Sequence, residues 1–133
     1  MKIVPLIVGA LLLSGCASGV SSAQRATMQA EINKTIPTCA EARDCELKWA
    51  AARRWVLSNS PMKIQQMTPD FIETYNPLNS SPDIAVRVVK EPVGSAGYRI
   101  LARVWCDNMF GCQPDAQAAI IDFNRVVNEA SLK

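Results

Sequence analysis

Apolar positions follow two different periods along this chain, and each period predicts its own element. Over residues 41–58, Ala42, Cys45, Trp49, Ala52 and Val56 fall on one helical stripe about 80° wide. Arg43, Glu46 and Arg54 lie off that stripe, and the run Ser58-Asn59-Ser60-Pro61 ends it. Period-two and β-branched runs follow. Residues 62–67 and 71–75 predict two short strands around the turn Thr68-Pro69-Asp70, and residues 76–83, rich in Pro, Asn and Ser, predict a loop. Residues 84–90 and 98–106 predict two longer strands joined by a turn at 91–97. A last helix starts near Pro114-Asp115. Ala116, Ala119, Ile120, Phe123, Val127 and Ala130 make a stripe about 100° wide, opposed by Asp122, Arg125 and Glu129.

Helix, strands, helix is the order of an α+β two-layer sandwich. The expected architecture is an antiparallel three- or four-stranded meander with the N-terminal and C-terminal helices on one face. The other face is then wet. Alternation places Ile84, Val86, Val88, Tyr98, Ile100, Ala102 and Val104 inward, and Arg87, Arg99, Leu101, Arg103 and Trp105 outward. Ahead of this domain, Met28, Ile32 and Ile36 recur at i, i+4 and i+8, predicting a short helix over 23–36 stopped by Pro37. Its thin stripe leaves open whether it docks on the domain, meets a partner or frays.

Composition narrows the chemistry. The chain has 133 residues, a net charge of +2, five Cys and no His. That is room for one domain. A net charge near zero provides no broad field for nucleic acid. Without His there is no Ser-His or Cys-His nucleophile pair and no His-containing zinc site.

The first sixteen residues carry the clearest motif. Met1-Lys2 supplies a positive start, and residues 3–13 form an apolar run of 11. As a helix at about 1.5 Å per residue this is too short for a hydrocarbon core of about 30 Å. It suits the apolar region of a secretory signal. The run ends in Leu13-Ser14-Gly15-Cys16, and here the chain resembles bacterial lipoprotein precursors, whose lipobox is an aliphatic residue, two small residues and a Cys. The resemblance covers residues 1–16. It implies that residues 1–15 are a signal peptide removed by cleavage and that Cys16 carries a diacylglycerol thioether and usually an acylated amine. Ala17 follows, not Asp, which in the enteric-type pattern implies sorting to the outer membrane. Three regions result: the signal peptide at 1–15; anchor, linker and short helix at 16–38; and a single domain at 39–133.

With Cys16 assigned to lipid, Cys39, Cys45, Cys106 and Cys112 remain. An exported compartment is oxidising, so disulfides are the expectation. The spacing is C-x5-C twice, which favours the local pairs Cys39–Cys45 and Cys106–Cys112 over crossed pairings. Both local pairs need a bend, because i and i+6 in a continuous helix lie about 9 Å apart along the axis, beyond the ~7 Å reach of a disulfide. A four-Cys zinc site is the rival, with looser spacing than the usual knuckles. No metal or cofactor is expected.

Two surfaces are candidates for binding. Arg87, Arg99 and Arg103 with Trp105 make a basic, aromatic outer sheet face suited to an anionic or sugar-bearing partner. The alternative is that these Arg pair with Glu73 or Glu91 and that Trp105 packs at the rim. The second candidate is the loop 106–112, with Met109 and Phe110 at its tip, closed by a disulfide. The alternative is that Phe110 folds under the last helix. Asp70, Asp107 and Asp115 suit turns and a helix start better than acid–base work. Trp49 and Trp55 suit helix packing. The expectation is therefore no enzyme but an outer-membrane-anchored periplasmic lipoprotein. It would attach to the membrane through Cys16 and bind an envelope protein or glycan as an accessory component. The alternative is a binding inhibitor of an envelope-attacking enzyme such as lysozyme, with the 106–112 loop as a plug.

Overall fold

A computed structural model describes residues 19–95 and 97–131. The leader, Cys16 and the first linker residues lie outside the described residues. The elements are α1 (Ser22–Lys34), β1 (Thr38–Cys39), α2 (Ala42–Asn59), β2 (Ile64–Met67), β3 (Phe71–Thr74), β4 (Ala85–Pro92), β5 (Tyr98–Trp105) and α3 (Ala116–Glu129). The architecture is α+β. One antiparallel sheet has the order β1-β5-β4-β3-β2. Four strands form the expected meander, and β1 adds a fifth at its edge, Thr38 opposite Arg99 and Cys39 opposite Tyr98. A two-residue strand is too short to leave any alternation in a sequence.

The two apolar stripes become the inner helical layer. Trp55, Val56, Phe123 and Val127 pack on Ile72, Ile84, Val86, Val88 and Ile100, all buried. The Trp55 ring meets Phe123 edge-on at 5.3 Å, while its indole N–H donates to Asp122 at 2.8 Å. Tyr98 departs from its expected inward place. It is 39% exposed, because its position lies beyond the last core layer, where its ring receives the Lys90 ammonium at 5.2 Å. The buried polar residues Lys48, Ser60, Thr74 and Asn124 have partners, as burial demands, whereas the buried Asp44 Oδ1 has none. Ser60 donates to the Ile84 carbonyl at 2.7 Å, and Thr74 Oγ1 accepts the Val86 N–H at 2.9 Å. Lys48 Nζ donates to the Thr38 carbonyl at 2.6 Å and lies 3.1 Å from Asp44.

α1 docks on α3, resolving the choice left open by its thin stripe. It ends at Lys34 with Thr35 as cap, so Ile36 falls beyond it and Ile32 alone is buried. Polar side chains of α3 supply most of the attachment. Asn124 is 2% exposed and donates to the Ile32 carbonyl at 3.2 Å and Thr35 Oγ1 at 3.1 Å. Asn128 donates to the Thr35 carbonyl at 2.8 Å, and Arg25 pairs with Asp115 at 2.7 Å. Among the described residues, no helix is long and apolar enough to cross a membrane.

Candidate functional site

Both local disulfides are present. Cys39 and Cys45 join with a Cα–Cα distance of 5.1 Å, and Cys106 and Cys112 with 5.5 Å. The first is buried and ties β1 to the start of α2. The second closes a loop at the end of β5. Two disulfides suit an oxidising, extracytoplasmic compartment. Among the described residues no cluster of His, Cys, Asp or Glu is placed to hold a metal ion.

The loop from Cys106 to Cys112 is built from its own short-range bonds and then laced to a neighbour. Asn108 Oδ1 accepts the Phe110 N–H at 2.9 Å, and Gly111 N–H donates to the Asn108 carbonyl at 3.2 Å. Gly111 sits at φ +107°, where a side chain would be strained. The neighbour is the 76–83 loop. Ser80 N–H donates to Asp107 at 3.1 Å, and Asn108 donates back to the Ser80 carbonyl. Asp107 N–H reaches the Ser81 carbonyl at 3.2 Å, and Gln113 N–H the Pro82 carbonyl at 2.8 Å. Asn79 and Ser80 hold φ +58°, a left-handed backbone that these hydrogen bonds help to stabilise.

This double loop carries apolar side chains into water. Met109 is 90% exposed and Phe110 92%, so Phe110 does not fold under α3. Leu78, on the partner loop, is 71% exposed. Sequence reading missed Leu78, whose only signal is an apolar residue inside a Pro-, Asn- and Ser-rich loop. Leu78, Met109 and Phe110 thus expose three large apolar side chains on two loops joined by hydrogen bonds.

The outer sheet face differs from a free basic patch. Arg87 pairs with Glu73, and Arg99 with Glu91, both at 2.5 Å. Arg87 also lies 5.8 Å from the Phe71 ring centre. Arg103 stands directly opposite Arg87 across β4 and β5 and lies over Trp105 at 5.6 Å. Among the described residues Arg103 has no carboxylate within ion-pair distance. Trp105 is half-buried at the rim and donates to Asn76 at 3.0 Å. Arg99 lies toward the β4–β5 hairpin, away from the tip. The sequence-predicted residues therefore divide into a largely neutralised sheet face and a separate apolar tip.

At the hairpin end lies an open groove of about 680 Å³ that the sequence did not signal. Trp49, Lys90, Tyr98 and Arg53 line it. Lys90 Nζ sits 5.6 Å from the Trp49 ring and 5.2 Å from the Tyr98 ring.

The carboxylates singled out in the sequence have structural uses. Asp70 accepts the Thr68 hydroxyl at 2.8 Å. Asp115 caps α3, accepting from the Gln117 and Ala118 N–H groups at 3.0 and 3.1 Å. Burial raises the Asp115 pKa, but the Ala118 N–H and the Arg25 guanidinium outweigh it and hold the carboxyl below its usual value. The Trp55 N–H, followed by Arg125, lowers that of Asp122.

A scan of protein-family models and searches of curated proteins and solved structures found no match to this chain.

Proposed function

We propose that this protein is a lipoprotein anchored to the outer membrane through Cys16, with its domain in the periplasm, acting as a non-catalytic binding component of the cell envelope. Leu13-Ser14-Gly15-Cys16 supports the anchor, and the two disulfides are compatible with the compartment. The observation that carries the binding role is the tip, where large apolar side chains are held in water by a disulfide and inter-loop hydrogen bonds. A contact surface already ordered before binding loses little entropy on association. Tethering confines the domain to a thin layer and raises its effective concentration for an envelope protein or glycan.

A second reading is favoured by the same exposure. A rigid loop presenting Met109 and Phe110 has the shape of a plug for an enzyme cleft, as in a binding inhibitor of lysozyme or another envelope-attacking enzyme.

Replacing Cys16 by Ser tests the first reading. The variant should leave the membrane fraction for the soluble periplasmic fraction, and unchanged fractionation would refute the anchor. Met109→Ala with Phe110→Ala tests the second: inhibition of lysozyme by the domain should disappear without change in melting. Inhibition that survives both substitutions removes the plug.

A further inference from the structure

The chain enters the fold at the end that carries the apolar tip. Near the start of both helices, Arg25 of α1 pairs with Asp115 at 2.7 Å, and Gln117 donates to the Arg25 carbonyl at 3.2 Å. Further along, Ile32 and Thr35 are bonded by Asn124 and Asn128. The two helices therefore run in the same direction, and their N-termini share one end of the molecule. The tip belongs to that end, because Cys112 precedes the Asp115 cap by three residues and Gln113 is bonded to Pro82. The hairpin groove lies at the other end, about 21 Å away by the length of α3 at ~1.5 Å per residue.

The tether is short. Four residues, and so five Cα–Cα steps, separate Cys16 from Ser21, the cap of α1. Fully extended, they reach at most about 18 Å. A lipid on Cys16 therefore keeps the tip end, rather than the hairpin end, against the bilayer. We propose that Leu78, Met109 and Phe110 seat in the interfacial layer of the same leaflet that holds the Cys16 lipid. This rests on the reading that Cys16 is lipidated, and it assigns the binding role of the tip to the membrane itself rather than to an envelope protein or glycan.

Two further observations favour a lipid surface over a protein cleft. Tyr75, 53% exposed, and Trp105 flank the tip, and amphipathic rings favour the headgroup level. The two loops, 76–83 and 106–114, hold Asp83 and Asp107 and no Lys or Arg. Their attraction to a membrane is therefore apolar, and anionic lipid does not strengthen it. Seating fixes the orientation of the domain and turns the groove at Trp49, Lys90 and Tyr98 toward the periplasm.

The test places a reporter in the tip. Phe110→Trp, at a position 92% exposed, leaves the core untouched. The full, exported protein is reconstituted in vesicles of phosphatidylethanolamine and phosphatidylglycerol with brominated acyl chains, and its Cys16 peptide is weighed from the same sample. The added emission should shift to shorter wavelength and be quenched by bromine, and Leu78→Ser with Met109→Ser should reverse both effects. A solvent-like, unquenched reporter on a protein with lipid on Cys16 overturns the seating while the anchor stands. An unmodified Cys16 overturns both. Quenching that requires a high phosphatidylglycerol content, or shielding that appears only when envelope proteins are added, also overturns the seating.

Discussion

Removing each disulfide in turn separates what loop closure contributes from what burial contributes. Both bridges join residues six apart in sequence. On the chain-entropy model each contributes the same, about 2.4 kcal/mol for a seven-residue loop at 25 °C. Their surroundings differ. Cys39 and Cys45 are 5% and 7% exposed, and the bridge ties β1 to α2 beside the buried Lys48. Replacing both by Ala leaves a space that close packing cannot refill, at roughly 1 kcal/mol or more beyond the entropy. Cys106 and Cys112 are half-buried, and the hydrogen bonds to the 76–83 loop remain when their bridge is cut. The Cys39→Ala/Cys45→Ala pair should thus lose about 3–4 kcal/mol and Cys106→Ala/Cys112→Ala about 2 kcal/mol. At about 4–8 °C per kcal/mol, the melting temperatures should separate clearly. Urea unfolding of the protein, with m compared between variants, gives the measurement. Equal losses would mean that burial at Cys39–Cys45 adds nothing, and a larger loss at Cys106–Cys112 would refute the reasoning.

Phe123→Ala should cost about 3–5 kcal/mol in the same unfolding assay, since its fully buried ring joins the helices to the sheet; a cost below 1 kcal/mol would contradict the packing. Trp55→Phe removes the strongest influence lowering the Asp122 pKa, so the carboxyl should titrate closer to the ordinary value, as followed by NMR. The Asp115 carboxyl titrates below the usual 3.8 in the folded protein. Its stabilisation is therefore complete above that ordinary value and is lost as pH falls through the lower folded one. Arg25→Ala, which removes the Asp115 partner, should flatten the loss of stability in that acid range, and an unchanged slope would refute the coupling.

Much of the architecture was legible because burial wrote itself into spacing. The α2 and α3 stripes and the alternation of β4 and β5 name most of the core. What escaped is long-range or polar. β1 is held by Lys48 and pairing with β5, neither of which leaves a pattern in two residues. α1 docks through Asn124, Asn128 and Arg25, so its apolar stripe understated it. Met109 and Phe110 were visible as a loop pair, but an apolar pair in a loop reads equally as core or contact. Their exposure is decided by hydrogen bonds to Ser80 and Ser81, more than twenty residues away in sequence. The three Arg were visible too, but their neutralisation by Glu73 and Glu91 depends on strand register.

The most direct measurement is the mass of the N-terminal peptide from protein extracted from the cell envelope without reduction. The account predicts that the chain begins at Cys16 with a diacylglycerol on its sulfur, and that Cys39–Cys45 and Cys106–Cys112 are intact. A chain that keeps its leader, or begins elsewhere with a free thiol at Cys16, would contradict it.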